Sequence, residues 1–204
     1  MKAVIVKNLT AKLADIDLSR KEILRYMRCA NTTDKTSELV ESCVAECKGI
    51  FDAKLCYCEY DIKYVSNGAE YIDLGFCVTE SKDLAKALEG CDKVIAFCAT
   101  VGIELDRRIA KYSVLSPSKA FCVSAIGSER IEALCDLFCA ELKDQYKKVK
   151  PRYSAGYGDL PLDVQKDIFR HLDCYKKIGV ALNDSLLMTP SKSVTAIVGI
   201  ESED

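Results

Sequence analysis

The residues Arg152-Tyr153-Ser154-Ala155-Gly156-Tyr157-Gly158-Asp159 carry the densest run of groups that could hold a small ligand. An arginine can grip a carboxylate through two parallel hydrogen bonds. Gly156 lets backbone and ligand approach closely, because it has no side chain. Tyr157 offers an aromatic face to a cation. The competing reading is a plain connector, since the stretch from Pro151 to Pro161 is dense in prolines and glycines. A second stretch, Ile178 to Val194, contains Leu182-Asn183-Asp184-Ser185 and Met188-Thr189-Pro190-Ser191. Read on its own it is a strand, a connector and a strand, with Met188 filling core space.

Other candidate chemistry is thinner. The chain has twelve cysteines and one histidine, His171. Cys43 and Cys47 are four apart and Cys56 and Cys58 two apart, but no Cys-x-x-Cys spacing occurs. His171 is remote from these pairs, so the spacing lends little to a zinc or iron–sulfur site, and no metal ligand is assigned. Cys135 and Cys139 share a helical face with Ile131, Leu134, Phe138 and Leu142, where a free thiol acts as a small hydrophobe. A thiol-redox or metal protein based on Cys43, Cys47, Cys56 and Cys58 stays as the third reading.

The elements that must position these groups follow from the pattern. Ala3 to Val6 reads as a strand. Ser19 with Glu22 reads as a helix start, leading through Ile23, Leu24 and Met27. Asp34 to Gly49 places Leu39, Val40, Cys43, Val44 and Cys47 on one helical face. Ala53 to Val65 and Ala69 to Val78 read as strands joined at Ser66-Asn67-Gly68, a hairpin signal. A short helix over Lys82 to Leu88 precedes a strand over Lys93 to Cys98. Helices are expected over Val101–Tyr112 and Lys119–Lys148, the second bent or broken at Gly127 and Ser128. Leu162 to Lys177 reads as helix, and Val180–Leu182 and Val194–Ile200 as strands. This mixture predicts an α+β fold: a central twisted, mainly antiparallel sheet with flanking helices.

The 204 residues are 49% apolar and 29% charged, ordinary for a globular protein, with net charge -2. They are expected to form a single unit, with an N-terminal α/β portion (1–100) and a portion carrying the arginine loop (101–204). The charge balance argues against nucleic acid or an anionic membrane as partner. No segment approaches the roughly 20 apolar residues of a membrane span. The first twelve residues show no signal peptide, so a cytoplasmic location is expected.

In this order, the Arg-x-x-x-Gly-Tyr loop at 152–157 and the Leu-Asn-Asp-Ser-x-x-Met-x-Pro-x-x-Ser-Val segment at 182–194 resemble the activation domain of cobalamin-dependent methionine synthase. The likeness is best over Arg152 to Val194 and weaker over Val101 to Lys150. Glu22-Ile23-Leu24-Arg25-Tyr26 resembles stand-alone versions of the domain. The resemblance implies an S-adenosylmethionine-binding activator of methionine biosynthesis, whose ligand supplies a methyl group to cobalamin held by a partner. That partner is a methionine synthase or related corrinoid methyltransferase, and a flavodoxin- or ferredoxin-type protein supplies an electron. It further implies that Arg152 holds the ligand carboxylate. Backbone around Ser154 and Gly156 lines the site, and Tyr157 packs against the ligand, whose sulfonium is a cation. Glu132 is the implied helical glutamate.

Two departures shape the alternative. The family's domain continues into a strand with a ligand-contacting tyrosine, and this sequence shows none there. A second acidic position just upstream of the loop appears here as Tyr146 or is shifted by a deletion. Both favour reduced affinity, completion of the site by a partner, or a non-catalytic assembly protein that has lost ligand binding. The Asp-x-His-x-x-Gly signature of a cobalt-ligating domain does not match Phe169-Arg170-His171-Leu172-Asp173, so His171 reads as a helix-surface or packing residue. No catalytic nucleophile or base is assigned, and the chain reads as an accessory component of a methyltransferase system.

Overall fold

The computed structural model describes residues 3–29, 33–66 and 70–201. The first part of the chain runs β1 (Ile5–Asn8), α1 (Thr10–Ala14), α2 (Arg20–Tyr26), α3 (Asp34–Cys47), β2 (Lys54–Asp61), β3 (Lys63–Ser66), β4 (Glu70–Asp73) and β5 (Val78–Glu80). Then come α4 (Lys82–Ala87), β6 (Lys93–Thr100), α5 (Glu104–Leu115) and α6 (Pro117–Gln145). The chain closes with α7 (Val164–Leu172), α8 (Cys174–Ile178), β7 (Ala181–Leu182), β8 (Met188–Thr189) and β9 (Ser193–Ile200).

β6 and β9 are apolar at nearly every position, the mark of strands covered on both faces. They form the centre and one side of a four-stranded sheet, β1-β2-β6-β9, in which every pairing is antiparallel. Side chains alternate between two cores, as the period of a strand requires. Ile95, Phe97 and Ala99 pack with α1, α2, α3 and α6 residues such as Leu13, Ile23, Val40 and Phe138. Val94, Ala96 and Cys98 pack on the opposite side with Leu84, Ile168, Leu172 and Cys174. The fold is therefore α+β with helices on both faces of a mainly antiparallel sheet.

Several elements match the pattern of the sequence, and the departures have local causes. The N-terminal strand covers Ile5–Asn8, because its ladder with Lys54–Tyr57 sets its extent. Ser19 caps α2 by accepting from the Glu22 amide at 3.3 Å. The other half of the capping box is absent: the Ser19 amide donates to buried Glu129 at 3.0 Å, while Glu22 receives Arg25. The expected long strand from Ala53 breaks at Ile62, and β3, β4 and β5 make a second, three-stranded antiparallel sheet. The proposed turn residues Asn67 and Gly68 lie outside the described residues. α5 starts later than expected, after Gly102 at φ +90, where an added Cβ would lie 3.0 Å from Asp52 Cβ. The helix expected over Leu162–Lys177 is two helices, divided at Asp173 in a left-handed conformation (φ 51).

α6 is continuous over 29 residues despite Gly127 and Ser128. Gly127 makes room instead of making a break: a Cβ there would lie 2.8 Å from Lys192 Cγ and 3.0 Å from Leu105 Cδ1. Ser128 keeps its hydroxyl on the helix, donating to the Ser124 carbonyl at 3.1 Å. Lys192 Nζ then donates to the hydroxyls of Ser124 and Ser128, each at 3.0 Å.

Candidate functional site

Glu132 and Asp136 lie four residues apart on α6, so both carboxylates emerge from one face. After α6 the chain runs back beside β9, whose outer edge would otherwise be unpaired. Lys150 donates to Gly199 at 2.9 Å, and Tyr153 and Ile197 exchange both backbone hydrogen bonds at 2.8 Å. This strap fixes the residue between them. Arg152 turns its guanidinium to α6, donating to Asp136 Oδ1 at 2.5 Å and pairing with Glu132 Oε2. Burial alone would lower the arginine pKa, but the Asp136 hydrogen bond and the carboxylate charges outweigh it and raise it further. With five donors, the guanidinium keeps capacity for a further acceptor beyond these two carboxylates.

Residues 154–160 close into a compact turn. Tyr157 donates to Ser154 at 3.2 Å, Leu160 to Tyr157 at 3.0 Å, and Gly156 to Leu160 at 3.0 Å. Two glycines are required here for different reasons. Gly156 takes φ +88 and packs its α-carbon toward Leu162. Gly158 takes φ +53 in a spot where a Cβ would lie 2.2 Å from an Asp83 carboxylate oxygen. Asp159 ties the turn to α4: it accepts from the amides of Lys82 at 2.8 Å and Asp83 at 3.2 Å, and from the Ser81 hydroxyl. The Ser81 hydrogen bond, followed by those amides, holds its carboxyl below the usual range.

The turn, α6, α7, β8 and β9 together enclose a cleft of about 380 Å³, within the usual range of small-ligand sites (roughly 300–1,000 Å³). The loop supplies Arg152, Tyr153, Ser154, Ala155 and Tyr157; α6 supplies Glu132. Gln165 of α7, Met188 of β8 and Ser193, Val194 and Thr195 of β9 complete the wall. Tyr157 is 70% exposed at the mouth. Ser193 is buried, donating to the Pro190 carbonyl at 2.7 Å, with Thr100 Oγ1 2.9 Å away.

Of the five residues singled out in the sequence, Glu132, Arg152, Ser154 and Tyr157 share this cleft, while Gly156 lies behind it as a turn residue. Met188 both touches the core and reaches the cleft. Asp136 was legible only once Glu132 was placed, through its spacing of four. Ser193 and Val194 close the 182–194 segment that carried the resemblance, whereas Gln165 and Thr195 carried no distinguishing signal. Tyr146, at the expected second acidic position, instead donates to Glu59 at 2.7 Å. His171 packs near Tyr60 and Phe76, with ring centroids 6.3 Å away in both cases.

The four cysteines of the redox or metal reading do not converge on one site. Cys43 and Cys47 lie in the core on one side of the sheet, Cys56 and Cys58 in the core on the other. Among the described residues, no group of three or more His, Cys, Asp or Glu side chains could hold a metal ion. Among the same residues, no helix is long and apolar enough to cross a membrane.

The architecture defines an α+β protein with a ligand-sized cleft at the covered edge of its central sheet. Its fold is similar to that of a solved structure described as the MetH reactivation domain bound to AdoHcy, with a TM-score of 0.66. The likeness covers 100% of this chain and 80% of that one at 14% sequence identity, so the two share a fold on a highly diverged sequence. The fold therefore agrees with the methionine synthase activation-domain resemblance drawn from the loop and the Ser-Val segment. No protein-family model and no curated protein sequence matches this chain.

Proposed function

We propose that this chain, acting as one unit, binds S-adenosylmethionine in the cleft between the 152–157 loop and α6 and serves as an activator of a cobalamin-dependent methyltransferase. The observation that carries the reading is the meeting of Arg152 with Glu132 and Asp136 at a cleft, in a fold whose solved neighbour holds AdoHcy. The ligand carries an α-carboxylate, an α-ammonium and a sulfonium. Arg152 keeps free donors for the carboxylate, and Glu132 keeps an oxygen for the ammonium. One cation facing two anions leaves the site net negative, which suits a ligand that is net positive. Tyr157 at the mouth offers its ring face to the sulfonium, and backbone at Ser154 borders the same space. The residues present thus fit the ligand.

The ligand supplies the methyl group, and a partner methionine synthase or corrinoid methyltransferase holds the cobalamin that receives it. This chain's part is to bind and orient, which lowers the barrier through proximity. It needs no nucleophile or general base. A flavodoxin- or ferredoxin-type protein would deliver the electron to the partner.

The same ion pairs favour one second reading. With Glu132 and Asp136 already on Arg152, the chain's own carboxylates could fill the role of a ligand carboxylate. The protein would then assemble or stabilise the methyltransferase without binding the methyl donor. Calorimetric titration with S-adenosylmethionine, alone and with a cobalamin-bearing partner, separates these. Binding that weakens by about tenfold or more in Arg152→Ala supports the first reading. Complex formation with no ligand binding in either state selects the second.

A further inference from the structure

Gln165 is only 7% exposed, lines the cleft, and has a buried side-chain oxygen with no hydrogen-bond partner. It is the sole such atom among the described residues. Buried polar groups in folded proteins are almost always satisfied, so an orphan on a residue that lines a cleft calls for a partner from outside the chain. Its backbone is already accounted for, since the amide donates to the Leu162 carbonyl at 3.1 Å. The side chain is therefore held in place by α7 and free to interact only at its amide.

We infer that Gln165 reads the base of the bound nucleoside and selects adenine over 6-oxopurines, an assignment that rests on the nucleoside-binding reading above. An unpartnered carbonyl oxygen demands a donor. The ligand's ammonium has its own acceptor in Glu132, on another element. What remains is the neutral part of the ligand, and uncharged Ala155, Met188 and Val194 line the same cleft as Gln165. A glutamine amide sets an acceptor beside a donor. The adenine edge offers the complement, an exocyclic amino donor beside the ring-nitrogen acceptor N7. A 6-oxopurine presents an acceptor where adenine has its donor. It would face the Gln165 oxygen with a second acceptor and leave both unsatisfied. Such a mismatch costs about ten- to a hundredfold in affinity.

The test is calorimetric titration of the full chain with S-adenosylhomocysteine and with its hypoxanthine counterpart, S-inosylhomocysteine. The wild-type protein is expected to prefer the adenosyl compound by about tenfold or more. In Gln165→Met, of similar volume, adenosyl affinity should fall to the inosyl level, with the thermal unfolding profile confirming the fold. Equal wild-type affinities, an inosyl preference, or a preference that persists in the variant would each overturn the role of Gln165 and leave the nucleoside reading intact. Failure of the wild-type protein to bind either compound, both alone and with a cobalamin-bearing partner, would overturn that reading and this assignment together.

Discussion

Arg152 and Glu132 are twenty residues apart in sequence, yet their side chains form an ion pair at the wall of the cleft, one from a loop strapped to β9 and one from α6. The two side chains are 24% and 43% exposed, so the pair is partly solvated. Partly exposed pairs contribute roughly 0.2–1 kcal/mol to stability, whereas a charged hydrogen bond to a ligand is worth about 1.5–3 kcal/mol. Arg152→Ala should therefore lower S-adenosylmethionine affinity by roughly ten- to a hundredfold while shifting the urea midpoint little. Arg152→Lys should recover only part of the loss, because a point charge cannot form the planar fork. Calorimetry and urea unfolding on the two variants check both halves.

Gly127→Ala should destabilise the protein. Helix propensity alone favours alanine by about 1 kcal/mol. That gain is outweighed where a new Cβ meets Lys192 Cγ at 2.8 Å and Leu105 Cδ1 at 3.0 Å, since overpacking costs roughly 1–3 kcal/mol. Urea unfolding gives the sign directly. Lys192→Ala in the same background should relieve part of the loss, and an increase in stability from Gly127→Ala alone would show that Lys192 yields freely.

That glycine illustrates what a sequence can and cannot display. Read locally, Gly127 and Ser128 weaken a helix. Their actual partner is Lys192, 65 residues away, which no helical pattern reveals. The same limit applies at the site. Arg152, Ser154 and Tyr157 stood out because they form a short local pattern, and Glu132 because of the family resemblance. Gln165 looks like any polar residue in the first turn of a helix until α7 is docked against the sheet and its amide is buried. The split of Ala53–Val65 at Ile62 is of the same kind, since apolar residues run through the break. The mainly antiparallel sheet, by contrast, was legible from the mixture of strand-like runs such as Lys93–Cys98 with separated helices.

The glycines of the loop and of the α8 end should respond very differently. Gly158 and Gly179 both sit at positive φ, +53 and +74. An added Cβ at Gly179 meets nothing within 4 Å, whereas at Gly158 it would lie 2.2 Å from Asp83 Oδ2 and 2.6 Å from the Tyr153 hydroxyl. Gly179→Ala should cost about 1 kcal/mol from the left-handed backbone alone. Gly158→Ala should cost more and should also weaken ligand binding, because Tyr153 borders the cleft. Paired unfolding and titration measurements on the two variants check the contrast, and equal costs would mean the turn can shift without penalty.

Glu129 and Arg130 form a buried ion pair that anchors the α1–α2 connector. Arg130 Nε and Nη2 donate to Glu129 at 2.5 and 2.6 Å, and the guanidinium also donates to the carbonyls of Ile16 at 2.7 Å and Asp17 at 3.1 Å. Their side chains are only 3% and 6% exposed. Removing one partner strands the other charge in the core, so Arg130→Met should destabilise by about 3–5 kcal/mol. The double variant Glu129→Gln with Arg130→Met should recover part of that loss. A double-mutant cycle by urea unfolding measures the coupling.

Stability should fall as pH rises above the ordinary thiol range. Burial raises Cys47 from 9.0 to about 11 and Cys77 from 9.0 to about 12, and it also pushes up Cys91 and Cys139. The folded-state values exceed the unfolded ones, so the unfolded chain releases its thiol protons first. Folding stability is then complete below about pH 9 and is lost progressively as pH climbs through the folded values. Lys192 opposes this, because burial lowers its value from 10.5 and raising the pH relieves the cost of its buried charge. Cys43 opposes it too, held below its ordinary value by its hydrogen bond with Cys122, but the larger number of raised thiols leaves the net direction downward. Urea unfolding under reducing conditions at pH 8, 9 and 10 should show a falling midpoint, and Cys47→Val should flatten the decline. A midpoint independent of pH over that range would mean that the buried thiols ionise in place.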